Sequence, residues 1–203
     1  MTVRESTVRP LPPAQEAILF EARQIGESRF GALSCNVQTV LEINGFVDIA
    51  ALQRAVDAVV RADPQLLTGF GYDAESQPIS FQPHEAVLRL RTVNLRELSP
   101  AERHIAAQRL EEHERSEEFP LGAPPLIRLL LSRIEDRERR LVVTSHRILL
   151  DSWSHGDFVH ALVDAFCCGL PRIGVRIRTL STHDTRPFPL SHPGQIVPVR
   201  AAA

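Results

Sequence analysis

The chain has no lysine at all: its 23 basic residues are all arginine, set against 25 acidic ones. With a net charge of −2 and no long basic block, it lacks the concentrated positive face that nucleic-acid binding needs. Cysteine is scarce too. Cys35, Cys167 and Cys168 make an odd number with two adjacent, which argues against a disulfide framework and for a reduced, cytoplasmic setting. No apolar run approaches the ~20 residues that a membrane-spanning helix requires. Met1 to Pro10 is polar and reads as ordinary chain, not as a secretory leader. There is one tryptophan, Trp153, and one tyrosine, yet 43% of the 203 residues are hydrophobic, enough for a real core.

Periodicity supplies the elements. Ala14 to Arg23 follows a proline pair and places Ala14, Ile18 and Ala22 on one helical face. Val37, Thr39, Leu41 and Ile43 alternate as a strand ended by Asn44-Gly45. Asp48 caps a helix to about Arg61 with a stripe of Leu52, Val56 and Val59, and Asp63-Pro64 stops it. Leu66–Tyr72 and Pro78–Gln82 are short strand candidates, and Leu88, Leu90 and Val93 continue the alternation. Ser99 with Glu102 forms a capping box for a helix to about Glu118, whose charged side reads as solvated. Leu126 to Ile134 and Arg140 to Ser145 are strands joined by a charged turn, and a last helix runs from about Ser152 to Cys168. Interleaved helices and hairpin-joined strands predict an α/β class with a mixed sheet. Beyond residue 169 the chain is rich in proline and arginine and is expected to be an irregular, disordered tail over 170–203.

The most informative stretch is Ser145-His146-Arg147-Ile148-Leu149-Leu150-Asp151-Ser152-Trp153-Ser154, at the junction of the last strand and the last helix. It resembles the His-His-x-x-x-Asp-Gly signature, followed by Trp-Ser, of nonribosomal peptide synthetase condensation domains. His146 matches the first histidine, Arg147 the second, Asp151 the aspartate and Ser152 the glycine, with Trp153 and Ser154 completing the motif. Three further stretches follow in the family's order. Leu11-Pro12-Pro13-Ala14-Gln15 is similar to its opening motif. Pro64-Gln65-Leu66 with Thr68 and Phe70 is similar to its second, with Leu67 and Gly69 where arginines usually stand. Phe119-Pro120-Leu121, then Pro125-Leu126-Ile127-Arg128, resembles Phe-Asp-Leu and Pro-Leu-Leu-Arg.

The resemblance implies the two-lobed fold shared with chloramphenicol acetyltransferase, with residues 1–169 as its N-terminal lobe. It implies no bound cofactor and no metal; the substrates would arrive on the phosphopantetheine arms of carrier proteins. In such relatives the second histidine assists attack of an acceptor amine on a donor thioester. Arginine at position 147 cannot take that proton, because a guanidinium at neutral pH has no free lone pair. Losing a general base typically costs on the order of 10²- to 10⁴-fold in rate. His-Arg at these positions also resembles a recruitment domain of glycopeptide synthetases, which gathers tailoring oxygenases and forms no bond. Three readings stay open: a truncated, inactive relative; a recruitment module for a carrier protein or tailoring enzyme; and an acyltransferase completed by a separate second-lobe chain.

His146 and Asp151 read as structural, Arg147 as ion-paired, and Trp153 as packing. His160, Asp164 and Cys168 share a helical spacing that chance alone generates.

Overall fold

The computed structural model describes residues 7–25, 35–149, 155–168 and 175–183. Two sheets organise it. The larger runs β5 (Leu90–Asn94), β6 (Ile127–Arg133), β7 (Glu138–His146), β2 (Asn36–Asn44) and β8 (Arg176–His183) in that order. The β5–β6 pair is parallel and the other pairs antiparallel. The smaller sheet orders β1 (Thr7–Pro10), β4 (Pro78–Gln82) and β3 (Gly69–Tyr72), all antiparallel.

Helices cover both faces of the large sheet. α2 (Ile49–Ala62) and α4 (His155–Cys168) share one face, where Leu52, Val56, Val59, Phe158, Leu162 and Phe166 meet Leu41, Leu129, Leu131, Leu141 and Val143. Each such side chain, taken fully out of water, contributes about 1.5–3 kcal/mol before the entropy of ordering it is subtracted. α3 (Pro100–Ser116) lies on the other face over Val40, Leu130 and Val142. α1 (Pro13–Ile25) stands apart, and its Leu19 joins Leu11, Phe70, Phe119, Leu126 and Ile148 in a second core beside the end of β7.

Local chemistry explains the boundaries. The Asp48 carboxylate accepts from the Ala50 N–H at 2.9 Å and opens α2. Glu102 accepts from the Ser99 N–H at 3.0 Å, half of the capping box that starts α3. Gly45 takes φ 143°, a backbone region reserved for glycine, and its carbonyl accepts from Arg139 Nη1 at 2.8 Å. Gly69 answers a different need: a Cβ there would come within 2.7 Å of the Phe81 ring and 2.9 Å of Pro124.

Several expectations need correction. Residues 64–67 form a 3-10 turn, because the Asp63 carboxylate accepts from the Gln65 N–H at 3.0 Å, so β3 starts only at Gly69. The buried face of α1 centres on Leu19, whereas Ala14 is exposed. The charged side of α3 is not wholly solvated: Glu114 is 2% exposed. Strand β1 had no sequence signal. Arg176–His183, expected to be irregular, is strand β8, held to β2 by Arg178, whose Nε and Nη2 each reach the Glu42 carboxylate at 2.8 Å. The rest of the proposed tail, 170–174 and 184–203, lies outside the described residues.

Candidate functional site at the end of strand β7

β7 delivers the motif. Its last two residues point to opposite faces, as a strand requires. Ser145 turns toward α4, where its hydroxyl lies 2.8 Å from His155 Nδ1. His146 turns the other way and meets the Phe119 ring edge-on at 6.3 Å between centroids. The backbone then tightens into a 3-10 turn, Arg147–Leu149.

The His146 ring is part of that turn. Its Nδ1 accepts the Ile148 N–H at 3.2 Å, which places the proton of the neutral ring on Nε2. Burial, and secondarily the charge of Arg147, push its pKa down to about 4. At neutral pH this imidazole is uncharged.

Arg147 is held at both ends. Its N–H donates to the Cys35 carbonyl at 2.8 Å, and its guanidinium pairs with the Glu21 carboxylate on α1. The arginine side chain is 17% exposed and that of Glu21 56%, so the pair faces solvent on its acidic side. Gln15, also on α1, donates from Nε2 to the Ile148 carbonyl at 3.1 Å. The first helix therefore clamps the motif turn at two points. Chemically, position 147 offers only donors and positive charge; it can hold an anion and cannot accept a proton.

Asp151, Ser152, Trp153 and Ser154 lie outside the described residues. His160, Asp164 and Cys168 are exposed along α4. Sequence reasoning missed Glu21, and also His155, which is 5% exposed and bridges Ser145 to Thr39 Oγ1 at 3.1 Å. The signal for His155 was present: it extends the buried stripe of Val159, Leu162 and Phe166 back by one turn. Glu21 gave none, because its partner is 126 residues away.

The sequence profile described as Condensation domain matches residues 5–171. The chain belongs to the condensation-domain family. Among curated relatives, chondramide synthase cmdD of Chondromyces crocatus is 30% identical over 177 residues, 84% of this chain and 4% of that protein. Phosphinothricin tripeptide synthetase PhsB of Streptomyces viridochromogenes is also 30% identical, over 79% of this chain and 13% of that protein. Among solved structures, the first condensation domain of the calcium-dependent antibiotic synthetase superposes with a TM-score of 0.64 at 26% identity. That match covers 77% of this chain and 36% of the other. The starter condensation domain of rhizomide synthetase RzmA gives 0.67 at 17% identity, over 79% of this chain and 37% of the other. The chain thus spans a small fraction of the curated relatives and well under half of the solved condensation-domain chains. Its fold is the chloramphenicol acetyltransferase-like α/β arrangement of condensation domains, with the mixed sheet that the sequence predicts. No helix among the described residues is long and apolar enough to cross a membrane.

Proposed function

We propose that this chain is a condensation-domain lobe of nonribosomal peptide assembly that does not join amino acids by itself. The observation that carries this is the Arg147 guanidinium, ion-paired to Glu21 where the family resemblance calls for a proton-accepting imidazole. His146 serves as a structural ring that braces the turn, supported by its burial and its bond to Ile148. Asp151, with Ser152, Trp153 and Ser154, completes the motif loop on the sequence match alone. Residues 1–169 make up the N-terminal lobe, to which β8 adds an edge strand. The partners are a carrier protein presenting acyl groups on a phosphopantetheine arm, and the second lobe that the family fold pairs with this one. Relatives named as synthases of chondramide and of phosphinothricin tripeptide support the pathway class.

The test mixes the full chain with a separately produced second lobe and two loaded carrier proteins. Arg147→His is expected to form amide product at least ~10²-fold faster than the parent chain, the low end of what a general base contributes. Ordinary turnover by the unmodified chain alone would refute the proposal. The His146-Arg147 pair also favours a second reading, a recruitment module. Its sign would be saturable binding of a purified tailoring oxygenase that weakens in Arg147→His.

A further inference from the structure

A cleft of about 220 Å³ opens between β1, the start of α1, the 3-10 turn at 64–67 and strands β3 and β4. Leu66, Phe70, Phe81 and Leu149 supply apolar lining. The same wall carries one cation, Arg9, and one anion, Asp63. No ion pair joins them. The Arg9 side chain is exposed and makes no ion pair or hydrogen bond among the described residues, unlike Arg91, Arg128, Arg140 and Arg178 in the large sheet. Asp63 spends one oxygen on the Gln65 N–H at 3.0 Å, and its other oxygen has no partner among the described residues.

Two opposite charges that line one partly apolar cleft without pairing suit a ligand that carries both charges itself. We propose that the cleft binds a small zwitterion, a free α-amino acid with an aliphatic or aromatic side chain. Its carboxylate meets Arg9, its ammonium meets Asp63, and its side chain rests on Leu66, Phe70 and Phe81. Arginine and carboxylate are the natural partners for those two groups, through charge-assisted hydrogen bonds. The volume agrees, lying below the ~300–1,000 Å³ of pockets that enclose drug-sized ligands. This inference goes beyond the condensation reading and does not rest on it, because neither His146 nor Arg147 lines the cleft. Gln15 and Leu149 do, and both belong to the clamp around the motif turn, so occupancy is felt there.

The experiment titrates the full chain with L-leucine, L-leucine methyl ester and N-acetyl-L-leucine, following backbone amide shifts by NMR. L-leucine is expected to bind saturably, with shifts at Leu66, Thr68 and Gln82. The ester, which lacks the carboxylate, and the acetylated form, which lacks the ammonium, are expected to bind about tenfold more weakly or worse. Arg9→Gln should abolish discrimination against the ester only. Asp63→Asn, which keeps the turn-capping oxygen, should abolish discrimination against the acetylated form only. Equal affinity for all three compounds would overturn the proposal, as would unchanged discrimination in both variants. So would no saturable shift with L-leucine at tens of millimolar. Failure of the condensation assay would leave these outcomes untouched.

Discussion

The His146 imidazole is 4% exposed, and two causes keep it uncharged, burial first and the neighbouring Arg147 second. Unfolded, it takes a proton near 6.5; folded, only near 4. Between those values the unfolded chain binds a proton that the folded chain refuses. Stability from this residue is therefore complete above pH 6.5 and is lost as pH falls toward 4, by on the order of 3 kcal/mol. Urea unfolding between pH 4 and 7 should show that slope, and His146→Gln should flatten it. Arg147→Gln removes the second cause, so the His146 titration, followed by imidazole NMR, should move upward. Glu21→Gln should cost less than about 1 kcal/mol, because the pair is open to solvent on one side. At this scale the sequence showed which side chains stand in the motif. It could not show that Arg147 is neutralised from α1, since nothing local links positions 21 and 147.

Among the elements, α3 and β8 depend most on charge. α3 meets the sheet through Ala107 and Leu110, but also through Glu114, which pairs with Arg91 on β5 and with Arg128 Nε on β6 at 3.3 Å. Glu111 adds a bond from Arg140 Nη1 on β7 at 2.8 Å, and Gln38 donates from Nε2 to the Glu111 carbonyl at 2.9 Å. A helix docked this way loses much when one carboxylate goes, because the half-buried Arg128 is left with its charge less compensated. Glu114→Gln should cost roughly 1–3 kcal/mol and speed amide exchange selectively along α3. β8 is tied by Glu42, whose carboxyl sits below its ordinary range, chiefly through the hydrogen bond from Arg178. That depressed value means the tie is intact above the usual carboxylate range and weakens as acid protonates Glu42. Amide protection in β8 should therefore fall on acidification, and in Arg178→Ala it should be low at every pH. The helix caps were legible in advance, from Asp48 and from Ser99 with Glu102. β8 was not, because its residues are mostly polar and exposed, and backbone pairing with the distant β2 is what makes them a strand.

Across the whole molecule, the largest core joins α2 and α4 to the centre of the large sheet. Leu129, fully buried on β6, sits within it. Leu129→Ala should lower unfolding free energy by about 2–5 kcal/mol, a loss set by the cavity it leaves. Phe20→Ala, at a side chain 59% exposed, should change stability by less than about 0.5 kcal/mol. Calorimetry or urea titration of the two variants checks both expectations.

Periodicity, caps and motif spacing, all local or short-range quantities, determined the helices, the central strands, the mixed α/β class, the family and the arginine at position 147. Strand order, the assignment of helices to faces, the Glu21 clamp, the burial of His155 and the opposed charges of Arg9 and Asp63 were decided only in three dimensions. The reason is physical: hydrophobic periods follow from a residue's near neighbours along the chain. Ion pairs, burial and clefts depend on partners brought together from positions tens to more than a hundred residues apart.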